Sequence, residues 1–564
     1  MKNFITNLRA HFLKNLIIIV PLIIIIEPLH AQNLTSSTNQ PFGGYLVGRH
    51  ALSNNQFDVA ADNYLDALGA DPNNVGLNQL TLSILITDGR FADAIKISKK
   101  LKIMAKQNDL SKLILFFNKI KSGVYDDLLI NGNEHGNSGI LKLINPFFKA
   151  WILAEKGKRE QVEIIINGFK DENSLNYFNY FQSGLIYEFL GENEKAEKYY
   201  SMALADNRTK NFRVVEALGR ILSRQGKAEQ ALFVFTKFSK IDPSNEKLRL
   251  ALEVVKNGET FDPFISNLNH GFAELLYTVA TILMQDDVKR VATNYLQYAT
   301  FFKPNFPLVH VLQAKIFESD KYFGGAIKEL DKINNNSSLY LQSNLQRARI
   351  FNKIKSHNKA LNAFKVLEKQ YPKNRKILNE IAEFYRIHER YGEAIKAYSK
   401  VVATIDEENE NDWVLYYSRG IVFDQEKRWV EAESDFKKAL QLKPDQPLVL
   451  NYLAYSWVEQ GKNYIEARTM LERAVELRPD DGYIADSLGW ALFKMGNEEA
   501  AVSILERAVQ LQTKDWAIND HLGNAYWVVG RRNEARFQWR HALSLKKTDT
   551  KVDEIEYKIE NGYK

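Results

Sequence analysis

The chain of 564 residues has no cysteine, and that absence removes disulfide staples, thiol catalysis, a lipid-modified cysteine and cysteine-held metals or clusters. Charge of one sign is not in excess either. With 75 Lys and Arg against 69 Asp and Glu, the net charge of +6 is too small over this length to point to nucleic acid. Catalytic signatures are missing as well: none of the ten histidines stands in a His-Glu-x-x-His arrangement, and Gly-x-Ser-x-Gly does not occur. Gly219 and Gly226-Lys227 have the wrong spacing for a phosphate loop, and Ala228 stands where Ser or Thr is needed. His135 beside Glu134 lies in a Gly- and Asn-rich stretch, residues 131–139, with no second ligand pair at helical spacing, so it reads as an exposed loop. These absences point to a chain that is no enzyme and needs neither cofactor nor metal.

Long apolar runs are nearly lacking too. The one near the start, residues 16–26, would span about 17 Å as a helix, against a hydrocarbon core of about 30 Å, and Pro21 interrupts it. Lys2, Arg9 and Lys14 precede it, and Leu29-His30-Ala31 places a small residue at a cleavage position. Residues 1–31 therefore read as a secretory signal peptide, and the polar residues 32–40 as a flexible lead-in. An exported chain without cysteine suits the periplasm of a Gram-negative bacterium, with inner-membrane anchoring through an uncleaved leader as the alternative.

What is present is a repeat. Counting Gly482 as position one, Leu488 and Gly489 fall at seven and eight, Leu492 at eleven, Gly496 at fifteen, Ala501 at twenty, Leu505 at twenty-four and Ala508 at twenty-seven. Leu522, Gly523, Tyr526, Gly530, Ala535, Trp539 and Ala542 repeat the series at an offset of 34. Large apolar residues at helical spacing on either side of a Gly turn predict two short antiparallel helices. Small residues at eight, twenty and twenty-seven predict close approach of helix backbones. One such pair cannot cover its own apolar face, so pairs should stack, with contacts mainly between neighbours. The period and the small/large pattern resemble the tetratricopeptide repeat. That resemblance implies an all-α fold, a right-handed α-solenoid of about 13 helix-turn-helix repeats.

In order along the chain, an N-terminal array covers 41–256. It opens with Gly48, Ala60, Tyr64, Ala67 and Pro72 in register, followed by a weaker repeat keyed by Ala94. The pattern degrades over 109–142. It returns with Ala150 and Gly157, and is clear at Gly184, Ala196 and Tyr200 and again at Gly219, Ala231 and Phe235. One extra helix is expected over 246–256. Residues 257–272, with Gly258 and Pro263, read as a joint between two sub-arrays, an ordered inter-repeat loop being the other reading. The C-terminal array, 273–549, carries an unbroken series at position twenty: Ala292, Ala326, Ala360, Ala394, Ala432, Ala467, Ala501 and Ala535. The Asp after Pro444 and after Pro479 is expected to cap the next helix. Val552, Ile555 and Ile559 predict a last amphipathic helix, 550–564, covering the open end.

In the family that this pattern resembles, first helices line a concave surface that faces partners. Carried onto the last four repeats, the facing positions hold Tyr417, Asn451, Tyr455, Tyr483 and Asp486 in order, and then Trp490, Phe493, Asp520, Asn524 and Trp527. Aromatics with Asn and Asp suit recognition of protein segments. Some of these aromatics could instead be packing between repeats. The clamp of Lys and Arg by which some members hold a C-terminal carboxylate is not matched, since Asn451, Asp486, Asp520 and Asn524 stand there. Residues 448–540, with Asp486-Ser487-Leu488-Gly489-Trp490 and Asp520-His521-Leu522-Gly523-Asn524, resemble long exported bacterial repeat proteins. Their relatives include an outer-membrane lipoprotein adaptor of a periplasmic carboxy-terminal processing protease. The resemblance implies a protein-binding scaffold or adaptor in the envelope, whose membrane contact comes only through its leader or a partner. A role in envelope polysaccharide export, binding glycan or its synthesis machinery, is the alternative.

Overall fold

The computed structural model describes residues 41–106, 108–125, 139–169, 176–205, 212–241, 245–285, 288–405, 407–545 and 550–563. The readings of residues 1–40 as leader and lead-in, and of His135 in its loop, lie outside the described residues. Among the described residues the chain is all-α, with 29 α-helices and no strand. None of these helices is long and apolar enough to cross a membrane.

The helices come in antiparallel pairs, and their turns have one physical cause. At position fifteen the backbone is left-handed, where glycine has no steric penalty: Gly496 has φ 78° and Gly530 φ 84°. Where the sequence has no glycine the same conformation is kept by Lys321, Lys355, Glu389 and Lys427, with φ between 56° and 61°. Asp481 caps the helix Gly482–Lys494 by accepting from the Tyr483 and Ile484 amides, and Asp515 caps Trp516–Val528 in the same way. The cap is thus the second Asp after Pro479. Asp445, expected to cap after Pro444, instead pairs with Arg473 at 2.9 Å, and Gln446 occupies the cap position.

Position twenty is alanine because nothing larger fits: Ala501 and Ala535 are wholly buried, as are Ala292, Ala326, Ala394 and Ala467. Position eight is small for a reason that differs from the one expected. It is not backbone that meets it but the large side chain at position twenty-four of the same repeat. A Cβ on Gly489 would lie 2.6 Å from Leu505, on Gly523 2.4 Å from Trp539, on Gly219 2.2 Å from Phe235 and on Gly184 2.5 Å from Tyr200. Each of these four repeats therefore closes on itself, with a ring or branched chain seated on a bare glycine, whereas Ala280, Ala314, Ala348 and Ala382 stand at position eight elsewhere.

The chain divides into two compact units, one up to Ala360 and one from Leu361. In the first unit contacts lie mainly between neighbouring helices, as expected, and some also reach far beyond neighbouring repeats, which the repeat pattern does not predict. Helix Lys289–Phe302 packs on Val75–Asp88, and Leu268–Gln285 packs on Gly139–Glu155. The cause is aromatic inner faces. Phe117 stands 5.2 Å from Tyr298 and 5.4 Å from Phe302, Phe148 stands 5.0 Å from Phe272, and Thr87 donates to Asn294 at 2.9 Å.

Helix Glu246–Lys256 forms as expected, and the segment after it is ordered with Phe264 and Ile265 buried, both sides of it within the first unit. A polar network holds that segment. Glu188, whose side chain is fully buried, accepts from the Tyr200 hydroxyl at 2.7 Å, Arg224 at 2.7 Å and the Phe264 amide at 2.9 Å. Arg213 pairs with Glu216 and Glu274 and lies over the Phe264 ring, while Arg220 donates to the Asp262 carbonyl. Burial and then the adjacent Glu188 charge push the Tyr200 hydroxyl well above its ordinary range, so it stays a donor.

Candidate functional site

All ten residues read as groove-facing lie in the second unit, on the first helices of its last four repeats. Tyr417, on Trp413–Gln425, is half-buried within an aromatic cluster, 5.9 Å from Trp413, 6.1 Å from Phe436 and 6.2 Å from Tyr452. Asn451 and Tyr455, four residues apart on Pro447–Glu459, share a face and are half-buried. The Asn451 Oδ1 is buried without a hydrogen-bond partner among the described residues. Burial and then the charges of Glu459 and Asp486 raise the Tyr455 hydroxyl well above its ordinary value. Tyr483, on the adjoining first helix, is 52% exposed.

The remaining six are drawn into packing and pairing. Trp490 is 7% exposed, donates from Nε1 to Glu459 at 2.6 Å and stacks on His521 with centroids 4.1 Å apart. The His521 Nδ1 lies 3.0 Å from both oxygens of Asp486. Phe493 stacks on Trp490 and meets the edge of Tyr563 at 5.7 Å. Asp520 is bound by Lys558 at 2.8 and 3.0 Å. Asn524, buried, accepts from the Trp539 Nε1 at 3.1 Å. Trp527 packs on Trp539 at 5.6 Å, with Arg532 and Arg536 over its ring.

The acid–base behaviour of His521 follows from its neighbours. Burial lowers the pKa of the imidazole, but the charge and hydrogen bond of Asp486, with Asp520 and Glu459 behind it, outweigh burial and raise it above 6.5. A raised histidine stabilises the fold fully below its unfolded value and loses that contribution as pH rises through the folded one. His521→Gln is therefore expected to lower the melting temperature of the second unit most near about pH 5.5, and progressively less as the medium becomes alkaline. Calorimetry of the full chain across that range checks the sign.

Residues that sequence reasoning missed are His521, Glu459 and the C-terminal trio Lys558, Gly562 and Tyr563. One signal was present: Lys558 is three residues from Ile555 and adjoins Ile559, a lysine on an apolar stripe.

Comparison with known proteins agrees with the helix pairs. Residues 453–515 and residues 179–205 each match a family model described as tetratricopeptide repeat. The human protein O-mannosyl-transferase TMTC1 is 28% identical over 133 residues, which span 22% of this chain and 15% of that protein. Among solved structures, a tetratricopeptide repeat protein from Parabacteroides merdae aligns at 18% identity over 45% of this chain and 99% of its own, with TM-score 0.37. The Cut9-Hcn1 hetero-tetramer of the APC/C aligns at 14% identity over 93% of this chain and 97% of its own, with TM-score 0.37. Yeast Tom70 aligns at 14% identity over 93% and 95%, with TM-score 0.33. Arrays of this repeat act as protein-binding scaffolds. Residues 453–515 and 179–205 of this chain are thus similar to the tetratricopeptide repeat, and its all-α helix pairs have the helix-turn-helix form of that repeat.

Proposed function

We propose that the chain is a non-enzymatic scaffold of the bacterial envelope that holds partner proteins on the inner face of its last repeats, with a periplasmic protease and its substrates as the first candidates. The observation that carries it is the run Asn451, Tyr455 and Tyr483 on two adjoining first helices: an amide oxygen buried without a partner beside one half-buried and one exposed tyrosine. An extended segment laid there would cover the exposed parts of both rings, and a change of Asn451 rotamer would bring its amide oxygen to the backbone N–H of that segment. Export is supported by the leader read at residues 1–31, and the protease by the resemblance at residues 448–540.

A photo-crosslinking residue at position 483, in intact cells of the source bacterium, followed by mass spectrometry of the adducts, tests the reading. Adducts to one or a few envelope proteins are expected, and they should fall at least about tenfold when Asn451→Ala and Tyr455→Ala are added, in keeping with loss of central contacts. Adducts to cytosolic proteins alone, or adducts unchanged by the double substitution, would overturn it.

A further inference from the structure

Asp520 sits on the inner helix of the last repeat, 9% exposed, and the cation bonded to it is not supplied by any repeat. It is Lys558, itself 5% exposed, which arrives from the C-terminal helix Thr550–Asn561 and bonds both carboxylate oxygens. A buried carboxylate stripped of its cation is strongly unfavourable, so this position demands a positive charge from somewhere. Asp486 and Glu459 stand on the first helices of the two preceding repeats, where Glu459 bonds Trp490 and Asp486 bonds His521, so the face is acidic around the point where Lys558 enters.

The C-terminal helix engages this face in the manner of a bound segment rather than of a repeat. It presents Lys558 and then, five residues on, Tyr563, whose ring lies edge-on to Phe493. Gly562 lies flat on Trp527, where an added Cβ would come within 2.0 Å of the ring. Its apolar anchorage is slight: among the described residues Ile555 is its one fully buried apolar side chain, Asp553, Glu556 and Glu560 face solvent, and the exposed Glu554 pairs with Lys558 at 3.3 Å. The segment is held by Ile555, by Arg536 donating to the Ile559 carbonyl at 3.0 Å, by Gly562 against Trp527 and by the Lys558–Asp520 pair, and of these the pair is the contact that specifies a cation.

We propose that the inner face of the last two repeats is a receptor for an amphipathic helix that carries one lysine or arginine in its apolar stripe and is followed, five positions after that cation and just past the helix end, by an aromatic residue, and that residues 550–563 occupy it as a built-in competitor. This rests on the protein-binding reading above and places the partner's cation on Asp520. A partner with that pattern replaces Lys558 and Tyr563 with its own side chains, and the C-terminal helix is released.

The test uses the full chain and, as probe, a fluorescein-labelled peptide of residues 550–564. Lys558→Met removes the competitor's cation and leaves Asp520 unpaired; this variant is expected to bind the probe at least about tenfold more tightly than wild type, an order of magnitude in keeping with a freed charge pair. Its amides over 552–561 should exchange faster in deuterium, and Asp520→Asn added to it should abolish the gain. Wild-type protein with excess unlabelled peptide gives a second readout that needs no substitution: exchange over 552–561 should again accelerate. Faster exchange in Lys558→Met without tighter probe binding would overturn the receptor. Unchanged exchange under excess peptide, or loss of cooperative melting of the second unit in Lys558→Met, would make the helix a fixed cap and overturn the proposal. Crosslinking from position 483 separates the two readings. Equal capture by wild type and Lys558→Met leaves the scaffold standing and removes the competitor, whereas probe exchange without any cellular adduct does the reverse.

Discussion

Replacing Glu188 by alanine is expected to destabilise the first unit by about 3–5 kcal/mol, the range for removing one partner from a buried charged pair. The size follows from what Glu188 holds: a tyrosine hydroxyl, a guanidinium and a backbone amide, each within 2.9 Å of a carboxylate whose side chain has no solvent exposure. The Tyr200 hydroxyl and the Phe264 amide would be left buried without an acceptor, and Arg224, 22% exposed, would lose its partner. Because Phe264 belongs to the segment between two repeats, the loss should also free that segment. Glu188→Gln, which keeps one acceptor oxygen, is expected to lose less. Deuterium exchange over the helices Asn176–Phe189 and Phe212–Arg224, followed against urea, reads the first unit separately from the second. A change below about 1 kcal/mol would mean the network is replaced by solvent and contributes little.

The second large effect is expected at Trp539. Its side chain is wholly buried, seated on Gly523, packed at a tilt against Trp527 and bonded to Asn524. Trp539→Ala should destabilise the second unit by about 3–5 kcal/mol, through lost transfer free energy and the cavity left between the two helices of one repeat. Asn524, 2% exposed, would lose its donor at the same time. Gly523→Leu in that background should recover part of the loss by filling the seat from the opposite helix. Urea unfolding followed by tryptophan fluorescence reads this directly, because seven of the eight tryptophans lie beyond residue 361. A midpoint unmoved by Trp539→Ala would mean that the two helices close the gap on their own.

Much of the fold was legible because the repeat writes its constraints locally. The alanine at position twenty, the turn at fifteen and the glycine at eight each answer a steric demand within about thirty residues, and periodicity reports demands of that range. The physics behind glycine at eight was not legible, since the pattern shows that a position is small without showing what occupies the space. Long-range features were not legible at all. Thr87 and Asn294 are 207 residues apart, and Asp520 and Lys558 are 38 apart across a change of element, so no spacing rule links them. The candidate surface was legible as a face and not as a set of free side chains. Helical position placed Trp490, Asp520 and Asn524 toward the inner side, but their occupation by His521, Lys558 and Trp539 depends on side chains from other helices. Tyr483 and Tyr455 kept more of their exposure.

Where a large residue is seated on a glycine of its own repeat, as Leu505 on Gly489 and Trp539 on Gly523, the pairing also bears on how such a chain changes in length. A unit whose knob and socket travel together can be duplicated or lost as a cassette, because no neighbour has to change to keep it whole. In the first unit that freedom ends. Phe117 meets Tyr298 and Thr87 meets Asn294 only if the number of helix pairs between them is kept, so gain or loss of one pair there would misalign every contact that crosses the turn. Copy number is thus a fixed quantity in that unit, set by aromatic contacts that no single repeat contains.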